Sequence, residues 1–173
     1  SPIGRIARLL FLNSPHNPTG AVLNEKDLNN LAAVASKENV MIINDAAYQS
    51  LSDVKPPSLL SVKGGTKIGA EVYSFSYSFG VTSLPFGFVA GHSEIINGLN
   101  QIAPLSPQPA LNLFCDLALE AIRKFPNQPL KTMRRRISDS RAEAMKLFDL
   151  LELEPSGYNT VPFMWGKIAG RRS

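Results

Sequence analysis

Two short apolar runs, each ending in amides or acids, constrain this chain more than any other feature. Arg8–Asn13 (Arg-Leu-Leu-Phe-Leu-Asn) and Val40–Ile43, which runs into Asn44-Asp45, are nearly continuous in hydrophobic residues. Runs of that length without alternation suit strands covered on both faces, as in a parallel sheet. Between them, Asn24 stands as the cap of a helix whose apolar positions are Leu28, Leu31, Ala32 and Ala35. The turn Pro15-His16-Asn17-Pro18-Thr19-Gly20 carries two prolines and a glycine, which forbid regular structure. The unit is strand, turn, helix, strand.

The same alternation continues along the chain. A loop with Pro56-Pro57 and Gly64-Gly65 leads to a third strand at Glu71–Phe75 and a fourth at Phe86–Ala90. Helices are predicted over 93–102, 110–125 and 129–152, the last stopped by Pro155 and Gly157. A short strand, Phe163–Ile168, follows. This pattern predicts an α/β fold with a mostly parallel sheet and its chemistry at the carboxyl ends of the strands. The long helix and the lone strand after it predict entry into a second domain that the chain does not complete, with both ends cut.

Composition narrows the function classes. Of 173 residues, 44% are hydrophobic and 18% charged, which supplies a core and excludes a disordered tail. No apolar run approaches the roughly 18 residues of a membrane span. Cys115 is the single cysteine, which excludes an internal disulfide framework and a cysteine-rich zinc site. Ser1-Pro2-Ile3-Gly4-Arg5 has no apolar core of a signal peptide, so a reduced, cytoplasmic setting is expected. The net charge of +4 draws on Arg134-Arg135-Arg136 and Arg141, placed by the helical pattern on a solvated face. No interleaving of aromatic and basic residues suggests a nucleic-acid partner.

Polar side chains collect where the strands end. Asn13, Asn17 and Thr19 follow the first strand, Asp45 and Tyr48 the second, and Ser74, Ser76 and Tyr77 the third. Three successive strand ends delivering hydrogen-bonding groups predict a ligand site on the rim of the sheet. Asp45 is expected to be buried with no Lys or Arg beside it, which a ligand cation would satisfy. Other candidates carry less. His16 and His92 lack metal-ligand spacing and read as surface histidines, and Cys115 reads as a small core residue. Gly64-Gly65 with Lys67 has the wrong spacing for a phosphate loop and no helix is expected after it, and no Gly-x-Ser-x-Gly elbow exists.

Three separate motifs carry a family resemblance. Asn13 to Gly20 (Asn-Ser-Pro-His-Asn-Pro-Thr-Gly), Asp45-Ala46-Ala47-Tyr48, and Ser74-Phe75-Ser76 through Phe79-Gly80 to Gly87-Phe88-Val89-Ala90-Gly91 resemble the class I/II aminotransferases of fold type I. These enzymes depend on pyridoxal phosphate. The resemblance covers about residues 8–168, and Asp45–Tyr48 with Lys55-Pro56-Pro57-Ser58 is similar to the diaminopimelate-type subgroup. It implies amino-group transfer between an amino acid and a 2-oxo acid, and a homodimer for the intact protein. It also divides the chain into the second half of a cofactor-binding large domain (1–128), a connecting helix (129–152) and the start of a small α+β domain (153–173).

The resemblance implies a role for each matching residue. Asp45 would pair with the pyridinium nitrogen, Asn17 and Tyr48 would bond the ring's phenolic oxygen, and Ser74 with Ser76 would give hydroxyls to the phosphate. The pattern breaks at its chemical centre. The family's cofactor-bonding lysine follows Ser-Phe-Ser, and here that residue is Tyr77; eight residues on, the family's phosphate-binding arginine is Pro85. A phenol cannot replace the amine, and phenols ionise near pH 10, which makes them weak bases at neutral pH. Proline offers no donor to the phosphate. Lys63 and Lys67 precede the third strand, at the wrong end of the sheet, and Arg171 and Arg172 come too soon to match the family's substrate-carboxylate arginine. The expectation is impaired transfer, with a non-catalytic binding or regulatory homologue as the alternative.

Tyr77→Lys alone should not restore activity in the intact protein. Adding Pro85→Arg should tighten cofactor binding by about 10²-fold over the single change, because a bidentate arginine contributes charge-assisted bonds of roughly 1.5–3 kcal/mol each. Borohydride trapping of the cofactor on the double variant checks this, and full trapping on Tyr77→Lys alone would show that Pro85 is immaterial.

Overall fold

The computed structural model describes residues 7–52, 54–80, 86–103, 111–125, 127–157 and 160–168. Strands β1 (Leu9–Asn13), β2 (Met41–Asp45), β3 (Gly69–Ser74) and β4 (Gly87–Gly91) form one sheet in the order β1-β2-β3-β4. β1/β2 and β2/β3 are parallel, and β3/β4 is antiparallel. The sheet is therefore mainly parallel, as the alternation predicts. Register aligns the strand ends: Asp45 lies opposite Asn13 on one side and Val72 on the other.

Helix α1 (Glu25–Glu38) begins as its sequence dictates. Asn24 Oδ1 accepts from Asp27 N at 2.9 Å and the Asp27 carboxylate accepts from Asn24 N, a reciprocal capping box. Its buried Leu28, Ala32 and Ala35 pack with Ile42, Leu59, Val62 and Ile68, and Leu10, Leu12, Leu31 and Val40 close the cluster. The expectation that the first strand is covered on both faces is corrected. Leu10 and Leu12 face the core, but Leu9 and Phe11 are exposed, Phe11 by 64%. α1 covers one face, and the other carries the exposed Leu9 and Phe11.

The loop before β3 also differs from its expectation. A one-turn helix, α2 (Gly65–Ile68), follows Gly64, because Gly65 must sit against the Leu59 carbonyl where a Cβ would come within 1.8 Å. Lys63 and Lys67 are exposed at the amino end of β3, as its position in the chain predicts. After β3 the chain turns into α3 (Phe75–Phe79), a five-residue helix capped by Ser74. It ends at Gly80 with φ 69°, and a Cβ there would lie 2.6 Å from the Met133 sulfur, so glycine lets α3 seat on the long helix.

Helices α4 (Ser93–Ile102), α5 (Leu111–Lys124) and α6 (Gln128–Leu150) match their predicted spans closely. Cys115 on α5 is half-buried rather than a core residue. The arginines of α6 are not all solvated, which corrects the single-face reading. Arg134 donates through Nε and Nη2 to the Ser50 carbonyl at 3.1 and 2.7 Å, and Arg141 Nη2 donates to the Val161 carbonyl at 2.6 Å. Beyond α6, the expected lone strand is half of a hairpin. β5 (Leu153–Pro155) pairs antiparallel with β6 (Gly166–Ile168), and Ser156 N extends the pairing to the Trp165 carbonyl at 2.8 Å. Pro155 is compatible with this because a two-stranded sheet has only edges.

Among the described residues one carboxylate is fully buried, Glu71 of β3 at 0% exposure. Asn44 Nδ2 (2.9 Å), Leu59 N (3.0 Å), the Ser58 hydroxyl and the Tyr73 phenol all donate to it. Burial and this neighbour push the Tyr73 phenol well above its ordinary value. Truncating the core beside the cluster at the fully buried Leu59, Leu59→Ala, is expected to cost about 2–5 kcal/mol. Urea unfolding of the chain followed by circular dichroism checks it, and a loss below about 1 kcal/mol would show that the region collapses onto the cavity.

Candidate functional site

The strand ends predicted to gather do gather, in two groups joined by Tyr77. The first group forms beyond β1 and β2. Asn13 Nδ2 donates to the Asp45 carbonyl at 3.1 Å, and its Oδ1 accepts from Asn17 N at 2.7 Å, which folds the turn back over the sheet end. Asn17 then donates from Nδ2 to the Tyr48 phenol oxygen at 3.3 Å. His16 does not face outward as a ligand; its Nδ1 pairs with Thr19 Oγ1 at 2.8 Å. His92 accepts from Glu94 N at 3.3 Å as the cap of α4.

Asp45 differs from its expectation in burial. It is half-buried, and its Oδ1 accepts from Ala47 N at 3.1 Å, which shapes the turn leading to Tyr48. Among the described residues it has no cationic partner in ion-pair range. Its other oxygen has no hydrogen-bond partner among the described residues.

Tyr48 is the pivot of the group. Its buried ring lies 4.9 Å from the Tyr77 ring, and Phe163 meets it edge-on at 5.3 Å. Leu51 and Val161 pack around it, with Met133 and Ile137 of α6 behind. Burial, and then the Tyr77 phenol alongside, push its pKa up to about 12, while the Asn17 amide pulls in the opposite direction. Tyr48 is thus protonated throughout the neutral range.

The second group lines an open cavity of about 440 Å³ bounded by Val72, Tyr73, Ser74, Ser76, Tyr77, Phe86 and Gly87. Ser74 Oγ accepts from Tyr77 N at 3.3 Å, and its hydroxyl proton stays available to an acceptor in the cavity. Ser76 is buried, and its hydroxyl exchanges hydrogen bonds with both the N–H and the C=O of Phe86, which holds the start of β4. Pro85 lies outside the described residues, as do Arg171 and Arg172.

Sequence reasoning missed four residues that build this site: Ser50, Phe163, Ser156 and Thr160. Ser50 ties the Tyr48 turn to α3, its Oγ lying 2.6 Å from Ser78 Oγ, and its carbonyl holds Arg134. Phe163 reaches Tyr48 because Ser156 and Thr160 donate to the Thr19 and Gly20 carbonyls, docking the segment after α6 onto the Asn17 turn. None carries a local signal, since each contact spans 28 residues or more.

The family model for "Aminotransferase class I and II" matches residues 2–171. The chain belongs to this family. An LL-diaminopimelate aminotransferase of Halothermothrix orenii is 38% identical over 102 residues, covering 58% of this chain and 26% of that protein. The match thus spans about a quarter of the relative's length. Among solved structures, a probable N-succinyldiaminopimelate aminotransferase from Thermus thermophilus superposes with a TM-score of 0.88 at 22% identity, covering 99% of this chain and 46% of that one. A PLP-bound putative aminotransferase from Clostridium difficile 630 does so with 0.80 at 20% identity, covering 94% and 44%. The fold is that of the fold type I aminotransferases.

The donor set is chemically matched to pyridoxal phosphate. An unpaired carboxylate oxygen suits a ring N–H, an amide beside a protonated phenol suits a ring oxygen, and a hydroxyl on an open cavity suits a phosphate. Among the described residues no group of three His, Cys, Asp or Glu side chains is placed to hold a metal. No described helix is long and apolar enough to cross a membrane.

The Tyr48 pKa has a measurable consequence. Its folded-state value lies above the ordinary phenol value near 10, so its contribution to stability is complete below pH 10 and is lost as pH rises toward 12. The urea midpoint of the chain should fall across that window. It should fall less in Tyr48→Phe, and an identical alkaline profile in the two proteins would refute the assignment.

Proposed function

We propose that this chain forms part of an aminotransferase-type site that holds pyridoxal phosphate without a covalent bond and is impaired in amino-group transfer. The observation that carries the reading is the place of Tyr77. It stands on α3 between the Asp45–Asn17–Tyr48 group and the Ser74 cavity, where the family resemblance expects a lysine. Asp45 would hold the ring nitrogen through its open oxygen. Asn17 would direct its amide, and Tyr48 its O–H, at the ring oxygen. Ser74 would donate to the phosphate; Ser76, its hydroxyl engaged by Phe86, would shape the cavity wall. When bound, the cofactor supplies an electron sink for moving an amino group between an amino acid and a 2-oxo acid.

The chain's own residues explain the impairment. Tyr77 brings a phenol, not an amine, to the joining position, so no covalent tether forms there and no amine carries a proton across the site. Tyr48 keeps its proton at neutral pH, so it orients a ligand oxygen and does not act as the base. Lys63 and Lys67 lie at the amino end of β3, away from the strand ends that hold Asp45 and Ser74. The intact protein is proposed to be a homodimer, in keeping with the family resemblance.

A second reading rests on the ring contact itself. Tyr77 packs on Tyr48 at 4.9 Å, with Phe163 on the other edge, an arrangement that stabilises the site with no ligand present. It favours a non-catalytic homologue with a binding or regulatory role.

Equilibrium dialysis of pyridoxal phosphate against the chain separates the two. Reversible binding is expected, with no cofactor fixed by borohydride, and Asp45→Asn should weaken it by about tenfold or more through loss of one charge-assisted bond. Cofactor fixed to a lysine would overturn the non-covalent reading. No binding at millimolar cofactor would favour the second.

A further inference from the structure

Glu71 touches neither Asn17 nor Tyr48, yet its cluster reaches the first group through Asn44. The carboxylate accepts from Asn44 Nδ2 at 2.9 Å and Leu59 N at 3.0 Å through one oxygen, and from the Ser58 and Tyr73 hydroxyls through the other. Asn44 is itself buried, and its remaining groups clamp the backbone of Ser14. Asn44 Oδ1 accepts from Ser14 N at 3.1 Å, and Asn44 Nδ2 also donates to the Ser14 carbonyl at 3.3 Å. Ser14 opens the turn that presents Asn17, and the buried Ser14 hydroxyl accepts from Leu23 N at the far side of that turn.

We propose that Glu71 is a positioning residue, which acts through Asn44 and Ser14 to set the Asn17 amide against the Tyr48 phenol. Flipped end for end, the Asn44 amide would set its oxygen against the Ser14 carbonyl and the Glu71 carboxylate, and its NH2 against the Ser14 N–H. Glu71 offers only acceptors, so it holds Nδ2 toward β3 by the shorter of that group's two bonds and fixes where Oδ1 meets the Ser14 N–H. The Ser14 N–H is then shared between Asn44 Oδ1 at 3.1 Å and the Asp45 carbonyl at 3.2 Å. The turn that follows is braced at its start, and Asn17, exposed and with its backbone N–H donating to Asn13 Oδ1, inherits its direction from that brace.

The inference does not depend on the cofactor reading, because its readout is the Asn17–Tyr48 bond. The full chain is labelled with carbon-13 at the tyrosine Cζ, whose resonance responds to a donor on the phenol oxygen, and the Tyr48 signal is assigned by its loss in Tyr48→Phe. Asn17→Ala then defines the position of the signal with the donor removed. Asn44→Ala and Glu71→Met should both move the Tyr48 signal to that position. Glu71→Gln should leave it at the wild-type position, because the Ser58 and Tyr73 hydroxyls can turn to donate or accept as the new amide requires. If Glu71→Met fails to fold, Asn44→Ala and Glu71→Gln decide the matter. A wild-type signal in Asn44→Ala, a displaced one in Glu71→Gln, or no displacement in Asn17→Ala itself would each overturn the proposal. A purely structural role would lower the urea midpoint of these variants and leave the Tyr48 signal in place.

Discussion

A carboxylate buried without a cation is the constraint around which the rest of this structure is arranged. Taking such a group from water costs several kcal/mol unless donors replace its hydration. Glu71 collects four of them, from β2, from the loop at Ser58–Leu59 and from its own strand at Tyr73. Meeting that demand fixes where the loop before β3 crosses the sheet. It also places Leu59, fully buried, in the cluster with Leu28 of α1 and Ile42 of β2. Polar satisfaction and apolar packing are here the same event.

The site inherits its precision from this rigid base and from α6. β2 brings Asp45 into register with Asn13 and Val72, so three strand ends lie side by side. Tyr48 then leaves β2 on a turn that Arg134 holds by its carbonyl at Ser50, while Ser78 holds the same residue by its hydroxyl. A guanidinium fork on a backbone carbonyl restricts direction as well as distance. The segment after α6, docked on Thr19 and Gly20, closes the arrangement by setting Phe163 on the Tyr48 ring.

Membership of the aminotransferase family and the chemistry of Tyr77 pull in different directions. The carboxylate, amide, phenol and hydroxyl that suit a pyridine ring and its phosphate are in place. The residue that joins their two groups brings an aromatic ring, which packs on Tyr48 and stabilises the site by contact. On the proposed reading, the pocket would hold and orient a ligand and present a phenol where an amine would react with it.

The sequence by itself determined the elements and their order. The apolar runs at β1 and β2, the Asn24 cap and the prolines of the Asn17 turn are local signals, and each acts through neighbours only a few residues away. It also named Asn17, Asp45, Tyr48, Ser74, Ser76 and Tyr77, because polar residues after apolar strands have few structural reasons to be there. Tertiary structure alone decided that β1 is covered on one face, that Asp45 keeps an open oxygen while Glu71 is the buried acid, and that Leu153–Pro155 pairs with Gly166–Ile168. It alone turned Arg134 and Arg141 from surface charges into anchors. The reason is physical. Caps and periodicity are set by the covalent neighbourhood, whereas the burial of an acid or the use of an arginine depends on which distant backbone groups the packed core leaves unpaired.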